Sequence, residues 1–191
     1  MPVKSFAAGL LRLESFLDPH VRRRLGMALV IHTVECLAEA GAAPVVVSPD
    51  SEVLDWAQTQ DIPILKEAAP GGLDAAAHTV ADAAATDPWA VVHSDLPLLT
   101  TADIDAVRTV LAVAGVALAP AADGGTAVYA GHGGNHSFAY GPGSFHRHLR
   151  HKPRAGTVTR PGLALDLDTP DDLAKTLTHP RGQWVGPVVG F

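Results

Sequence analysis

Three aspartates stand where their carboxylates could hold a metal ion against a phosphorylated ligand. Asp95 follows the apolar run 89–92, which has the length and the β-branched content of a buried strand. Ligands of open α/β sheets bind beyond the carboxyl ends of the strands. Asp166 and Asp168 alternate with leucines in residues 163–168, and a period of two places both on one face of an extended segment. Carboxylate oxygens suit Mg²⁺, so the spacing predicts a Mg²⁺ site formed by these three side chains.

Both segments also have a simpler interpretation. Asp95 precedes Leu96 and Pro97 and could belong to an ordinary turn after a strand. Thr169 is a suitable N-cap for a helix that has Pro170 at its first position and acids in its first turn. Spacing alone leaves the metal site and the structural interpretation both open.

Cations for a phosphate are found near the start of the chain. A loop after a short first strand carries Lys4, Gly9 and Arg12, and loops of this kind often wrap phosphates because glycine lets the backbone approach. The alternative is that Lys4 and Arg12 are solvated surface cations. The run Arg22 to Arg24 is interpreted as a solvated helix face, although one of its members could reach an anion.

The composition is that of a folded enzyme-sized chain and excludes several classes of protein. The chain has 191 residues, 47% of them hydrophobic, a net charge of −6 and one cysteine. The negative charge argues against a nucleic-acid binder or an anionic membrane partner, and the single cysteine excludes an internal disulfide framework. With no apolar run of bilayer length and no secretory signal, we expect a cytoplasmic protein without nucleic-acid or membrane partners.

Alternating strand and helix patterns predict an α/β fold. Capping residues and apolar periodicity predict helices at 19–40, 52–60, 75–85 and from Thr100 or Thr101 to 114, and strands at 44–48, 62–65, 89–92 and 115–119. This is the βαβ rhythm of a parallel sheet. Residues 1–191 are expected to form a single domain, in which 180–191 is an irregular tail that Trp184 anchors to the core.

Three further segments are assigned from turn chemistry. The loop from Pro70 to Asp74 leads into the alanine-rich helix, and its amides could hold a ligand group or form an ordinary turn. Strands at 127–130 and 136–140 are predicted to form a hairpin. Ser144 is a natural cap for a helix that ends near Lys152.

Five histidines between His132 and His151 raise the question of zinc. The chain has no His-Glu-x-x-His pattern and no cysteine nearby, and His146 and His148 lie on different faces of a helix. Zinc is therefore not expected. The sequence also contains no P-loop and no Gly-x-Ser-x-Gly elbow, which argues against P-loop NTPases and α/β-hydrolases.

The order and spacing of several motifs resemble one family. They are Pro2-Val3-Lys4, Arg12-Leu13, Ser94-Asp95-Leu96-Pro97-Leu98-Leu99, Asp123-Gly124-Gly125-Thr126, Gly141-Pro142-Gly143-Ser144-Phe145 and Leu165-Asp166-Leu167-Asp168-Thr169-Pro170. Together they resemble the guanylyltransferases of coenzyme F420 biosynthesis, the CofC or FbiD family, from residue 2 to about residue 177. The resemblance implies a Rossmann-like nucleotidyltransferase fold of the glycosyltransferase-A type, with a mixed, mostly parallel sheet flanked by helices and a β-hairpin excursion.

The same resemblance implies a reaction and a set of site residues. The phosphate of phosphoenolpyruvate, 2-phospho-L-lactate or 3-phosphoglycerate would attack the α-phosphorus of GTP and expel pyrophosphate, with phosphoenolpyruvate as the first expectation. The product would pass to the next enzyme of the F420 pathway. By position, the resemblance implies catalytic Asp95, Lys4 and Arg12, metal ligands Asp95, Asp166 and Asp168 for Mg²⁺, nucleotide contacts from Pro2, Lys4, Gly72, Asp74 and Ser94, and acid-substrate contacts from Thr126, Gly141, Gly143 and Ser144.

The chain departs from the family pattern at a few positions. Leu10 stands where the family usually has a lysine, Asp74 where it has asparagine, and only Met1 precedes Pro2. Two alternatives to an active guanylyltransferase follow. One is a relative that binds nucleotide or phospho-acid without turnover, and the other is a nucleotidyltransferase with a different acceptor.

Overall fold

The computed structural model describes residues 1–6, 10–67 and 71–191. Gly9 of the first loop and Pro70 of the loop before Asp74 lie outside the described residues. Short 3-10 helices occur at Leu11–Leu13 and Pro180–Gly182. The α-helices are α1 (Pro19–Glu39), α2 (Ser51–Thr59), α3 (Gly72–Ala83), α4 (Thr101–Ala114), α5 (Ser144–His151), α6 (Pro161–Ala164), α7 (Pro170–Thr178) and α8 (Val185–Val189).

In the described ranges six strands form two sheets, and their directions confirm the predicted mixed α/β architecture. The strands are β1 (Val46–Ser48), β2 (Ile64–Lys66), β3 (Pro88–Val92), β4 (Ala117–Pro120), β5 (Thr126–His132) and β6 (Gly156–Thr157). Strands β1 and β2 pair in parallel, and the second sheet has the order β3-β5-β4-β6. Because β5 is antiparallel to both of its neighbours while β4 and β6 are parallel, the other three strands of this sheet share one direction.

The predicted hairpin of 127–130 with 136–140 does not form, and the first of these strands pairs elsewhere. Strand β5 pairs with β4, and residues 121–125 form the turn between them. Residues 136–140, predicted as the second strand, form no strand. The reason is that β3 and β4 already occupy both edges of β5, so residues 136–140 have no free strand edge with which to pair.

The first residues connect the two sheets. Pro2 forms a parallel bridge with Val47, supported by hydrogen bonds from the Val3 amide to the Val47 carbonyl (2.9 Å) and from the Val47 amide to the Met1 carbonyl (2.9 Å). The Ser94 hydroxyl donates to the Pro2 carbonyl at 3.4 Å. The N-terminal segment therefore runs beside β1 and also contacts the loop that follows β3.

Helix starts follow the predicted capping chemistry. Asp18 caps α1 through the amides of His20 and Val21. Thr100 and Thr169 both form capping boxes, with Asp103 and Asp172 at the third helical positions. Helix α3 begins at Gly72, three residues earlier than predicted. The amide-rich segment after Gly71 is thus the first turn of a helix rather than a loop.

Ser144 is not the cap of α5. Gly143, with a φ of 68°, occupies the cap position and Ser144 is the first helical residue. Glycine suits this place because residues with a side chain rarely adopt a positive φ. The hydroxyl of Ser144 is instead buried and hydrogen-bonded to Thr126.

The chain around Asp166 and Asp168 is not a strand. Residues 161–164 form α6 and residues 165–168 have no regular structure. The alternation still holds locally, since Leu167 between the two acids is fully buried. One backbone hydrogen bond, from the Leu167 amide to the Asp95 carbonyl (2.8 Å), brings this segment to the residues after β3.

Residues 180–191 are not an irregular tail. They include the second 3-10 helix and α8, whose Val185 and Val189 pack in one buried cluster with Leu25 and Leu29 of α1. Trp184 donates from its indole to the Pro97 carbonyl at 3.0 Å, as expected of an anchor. None of the helices in the described ranges has the length and apolar character required to cross a bilayer.

Candidate active site

A cavity of about 690 Å³ opens between the first loop, the carboxyl ends of β1 to β3 and the start of α3. Its volume lies in the range of small-molecule sites. Seven of the predicted site residues line it, namely Pro2, Lys4, Gly72, Asp74, Ser94, Asp95 and Gly141. The other six, which are Arg12, Thr126, Gly143, Ser144, Asp166 and Asp168, do not.

The cavity collects nearly all of the unsatisfied buried polar groups of the described residues. Six side chains have a shielded nitrogen or oxygen without a hydrogen-bond partner, and every one except Thr176 lines the cavity: Arg22, Glu67, His93, Asp95 and Tyr140. Buried polar groups in folded proteins are nearly always paired, because an unpaired group keeps its full desolvation cost. These side chains therefore indicate a polar ligand that would supply the missing partners.

Asp95 lies close to several other carboxylates. Its side chain is 39% exposed, yet Oδ1 is shielded and unpartnered, with Nδ1 of His93 at 4.0 Å. The pKa of Asp95 is raised, chiefly because the carboxyl group is buried. The nearby His93 opposes this shift, and the charges of Asp168 and Asp123 add to it. Burial likewise raises the pKa of Asp166 to about 6, with added repulsion from Asp95 and Asp123. The acids predicted to act together are thus close enough to repel one another.

Asp123 is a member of this group that spacing did not single out. It lies in the β4–β5 turn, where Oδ1 accepts a hydrogen bond from the Gly125 amide at 2.6 Å. Its charge acts on both Asp95 and Asp166. The Asp-Gly-Gly-Thr motif was the available signal, but only the fold brings its carboxylate beside the other acids.

The carboxylate oxygens of these acids suit a hard cation such as Mg²⁺. The described side chains are not, however, arranged as a complete metal site. No group of three His, Cys, Asp or Glu side chains in the described ranges is arranged to hold a metal ion. One reason is that Asp168 Oδ2 is paired with Arg12 Nη1 at 2.8 Å. The unpartnered Asp95 Oδ1 and the mutual repulsion of the acids are what a bound cation would relieve.

Of the two predicted cations, Lys4 lines the cavity and Arg12 does not. Arg12 is exposed and paired with Asp168, and Leu10, at the position of the family lysine, lines the cavity with an apolar side chain. Arg22 was interpreted as part of a solvated face, and this is wrong. It is 9% exposed, lines the cavity, and has Nε and Nη1 without partners. Arg23 does form a surface ion pair, with Glu52 at 2.6 Å.

Thr126 and Ser144 belong to a buried hydrogen-bond chain behind the cavity. The Ala139 amide donates to Nε2 of His148 (2.9 Å), so the proton of the neutral ring is on Nδ1, which donates to Thr126 Oγ1 (2.9 Å). The Thr126 hydroxyl can then donate to Ser144 Oγ at 3.1 Å. In this chain Ser144 Oγ is an acceptor, and the hydrogen bonds tie β5 to α5.

This chain predicts a pH dependence of stability. Burial lowers the pKa of His148 from 6.5 to about 4. Below pH 6.5 this histidine is therefore protonated in the unfolded chain, whereas in the folded chain it stays neutral down to about pH 4. The contribution of His148 is complete above pH 6.5 and is lost progressively between pH 6.5 and 4, up to about 3 kcal/mol. Urea unfolding of His148→Gln should show a flatter pH profile in this window.

The control for this prediction is His151→Gln, which removes an exposed histidine of the same helix. It should keep the wild-type slope of unfolding free energy against pH. Equal slopes for wild type and His148→Gln would contradict the assignment of a neutral, buried His148.

Asp74 links α3 to the residues before α5. Its Oδ1 accepts a hydrogen bond from the Tyr140 amide at 2.8 Å, and Arg147 of α5 donates to the carbonyls of Ala139 and Tyr140. These bonds hold Gly141 at the cavity wall, with a φ of 111° that favours glycine. Asp74 therefore lines the cavity while one of its oxygens is engaged in structure.

The fold matches that of a solved crystal structure. The crystal structure of a protein described as a nucleotide-diphospho-sugar transferase, from Desulfovibrio desulfuricans G20, superimposes with a TM-score of 0.76 over 94% of this chain and 84% of that chain, at 15% identity. The match confirms the predicted fold class and, at this identity, no more than the fold.

Sequence comparison identifies the family. A family model described as "Guanylyl transferase CofC like" matches residues 1–185, so the chain belongs to the CofC family, as the motifs predicted. A phosphoenolpyruvate guanylyltransferase of Sphaerobacter thermophilus is 35% identical over 94% of this chain and 91% of that protein. A 2-phospho-L-lactate guanylyltransferase of Methanothermobacter thermautotrophicus is 29% identical over 95% of this chain and 84% of that protein. A 3-phospho-D-glycerate guanylyltransferase of Phenylobacterium zucineum is 32% identical over 93% of this chain and 88% of that protein.

Proposed function

We propose that this protein transfers GMP from GTP to the phosphate of a phosphorylated three-carbon acid, as a step of coenzyme F420 biosynthesis. A phosphate oxygen of the acid attacks the α-phosphorus of GTP, a new P–O–P bond forms, the bond from the α-phosphorus to its bridging oxygen breaks, and pyrophosphate leaves. The observation that carries the proposal is the convergence of unpartnered Arg22, Glu67, His93, Asp95 and Tyr140 on one cavity in a chain of the CofC family.

Charge neutralisation is the main task of such a site, because two anions must approach within about 3 to 3.5 Å. Lys4 and Arg22 line the cavity and would bind the triphosphate. Asp95 and Asp166 would hold Mg²⁺, joined by Asp168 when Arg12 releases it. The ion would act as a Lewis acid that stabilises the charge developing on the reacting phosphates. No protein nucleophile is required.

The glycines around α5 are proposed to contact the acid substrate, because Gly141 lines the cavity. Thr126 and Ser144 are buried behind them, and the hydrogen-bond chain from His148 through Thr126 to Ser144 would hold this segment in place. Because relatives bear the names of three different acids, the proposal concerns the class, and phosphoenolpyruvate is the first member to test.

The test is pyrophosphate release from GTP and Mg²⁺ with phosphoenolpyruvate, 2-phospho-L-lactate and 3-phosphoglycerate in separate reactions, with mass spectrometry of the product. Release with one acid identifies the substrate. The apolar Leu10 at the cavity wall favours a second candidate, a relative that binds without turnover. GTP binding by calorimetry with no product from any acid would support that candidate and overturn the proposed reaction.

Arg22 provides a sharper test of the triphosphate site. Arg22→Gln should lower kcat/KM for GTP by about 10- to 100-fold, mainly through KM, because a hydrogen bond to a charged group contributes about 1.5 to 3 kcal/mol. Thermal stability should not fall, since the variant removes a buried cation that lacks partners. Steady-state kinetics and thermal melting measure the two effects.

Arg23→Gln is the matched control, since it removes a guanidinium from the same helix that is paired with Glu52 at the surface. Its kcat/KM should equal that of wild type. Wild-type kinetics in Arg22→Gln would remove Arg22 from the nucleotide site.

A further inference from the structure

Glu67 lies at the edge of the sheet where the cavity opens. Strands β1 and β2 pair in parallel with Ser48 opposite Lys66, so both strands end at the same edge. Glu67 is the next residue, its amide donates to the Ser48 carbonyl at 3.4 Å, and it lines the cavity. The motifs that resemble the family do not include this residue.

The buried carboxylate of Glu67 lowers the stability of the unliganded protein. The residue is 5% exposed, and its Oε1 is shielded without a hydrogen-bond partner in the described part of the chain. Burial raises the pKa of Glu67. An uncompensated buried carboxylate lowers stability, so a ligand that brings hydrogen-bond donors to this point would recover that cost on binding.

The proposed nucleotide has suitable donors on one edge. Guanine presents N1–H and the 2-amino group side by side, and the two oxygens of a carboxylate can accept both. Adenine presents an unprotonated N1 and no 2-amino group, so it would leave the carboxylate unpaired. Resting on the proposed function, we infer that Glu67 is the residue that selects guanine by accepting hydrogen bonds from N1–H and the 2-amino group.

The order of segments around the cavity agrees with this assignment. From β2 the neighbours are β1, then residues 1–3 beside β1, then Ser94, which contacts Pro2. With about 4.8 Å for each of these three steps, Glu67 and Asp95 lie roughly 14 Å apart. A base at Glu67 would thus place the phosphates toward Lys4, Arg22 and Asp95.

The first turn of α3 adds a complementary group. Gly71 supplies no side-chain cap, and the first backbone amides of an α-helix have no acceptor within the helix itself. Gly71, Gly72 and Leu73 line the cavity together with Glu67. Their amides can donate to O6 of guanine. The 6-amino group of adenine is itself a donor and could not accept a hydrogen bond from these amides.

The test is calorimetric binding of GTP, ITP and ATP, in the presence of Mg²⁺, to wild type and to Glu67→Gln. ITP keeps N1–H and lacks the 2-amino group. Wild type should bind GTP about 10- to 100-fold more tightly than ITP, and ATP more weakly still. In Glu67→Gln the affinity for GTP should fall by a similar factor, and the GTP to ITP ratio should drop to within about threefold.

Asp55→Asn, which changes an exposed carboxylate of α2, is the control and should retain the wild-type ratio. Thermal melting of Glu67→Gln should show no loss of stability, because the amide replaces an unpaired buried charge. A GTP to ITP ratio unchanged by Glu67→Gln would overturn the inference and leave the proposed function standing. Wild type that binds no nucleotide would overturn both.

Discussion

Replacing Asp95 with asparagine is expected to lower the rate of pyrophosphate release from GTP by a factor of about 10³, the scale on which loss of one preorganised electrostatic group slows an enzyme. Oδ1 of Asp95 is shielded and unpartnered, and the residue lies among the charges of Asp166, Asp168 and Asp123. Asparagine has nearly the same shape and lacks the charge that would hold Mg²⁺. The effect should therefore fall on kcat.

Folding should survive this substitution, because it removes a charge that its neighbours repel. The unfolding free energy of Asp95→Asn should equal or exceed that of wild type in urea titrations. Asp87→Asn, which changes an exposed carboxylate just before β3, should keep wild-type turnover. Undiminished turnover in Asp95→Asn would remove Asp95 from the metal assignment.

Replacing Asp103 with alanine should lower the unfolding free energy by about 3 to 5 kcal/mol, a large share of the 5 to 15 kcal/mol typical of a domain. Asp103 is fully buried and accepts hydrogen bonds from Arg160 Nε (2.7 Å) and from the amide (3.0 Å) and hydroxyl (2.6 Å) of Thr100. Arg181 Nη1 lies 3.6 Å from it. Alanine would leave these groups without their acceptor.

The control is Asp105→Ala in the same helix. Asp105 is exposed and pairs only at the surface with Arg108, at 3.4 Å, so its loss should change the unfolding free energy by about 0.5 kcal/mol or less. Urea unfolding compares the two variants. If Asp103→Ala unfolds within 1 kcal/mol of wild type, as an exposed pair would, Asp103 does not hold α4 to the residues before α6 as the geometry indicates.

Sequence predicted best the features that depend on neighbouring residues. Asp18, Thr100 and Thr169 begin helices as expected, because a cap side chain and the amides that donate to it are separated by three residues or fewer. The family motifs also identified the fold class. The partner of β5 could not be predicted locally, since it depends on which strand edges other parts of the chain have already occupied.

The residues missed in the site have a common cause. Arg22 stands in a run of three arginines and Glu67 follows a lysine, and by type both would be assigned to the surface. Their burial and their lack of partners arise from contacts between distant segments. A sequence lists such groups but does not show which of them the folded chain leaves unsatisfied.

The cavity wall has a consequence for how binding and folding are coupled. It is built from residues 2–6, the first part of α1, the ends of β1 to β3, the start of α3 and residues 140–141. The Leu167 amide, 72 positions further along the chain, donates a hydrogen bond to the carbonyl of Asp95 in this wall. The wall draws on separate segments between residues 2 and 141, and no short segment contains it, so only the native state can bind the ligand with full affinity. By mass action, every increment of nucleotide above its Kd then shifts the equilibrium of the whole chain toward the native state, and the abundance of substrate in the cell contributes to the stability of the protein.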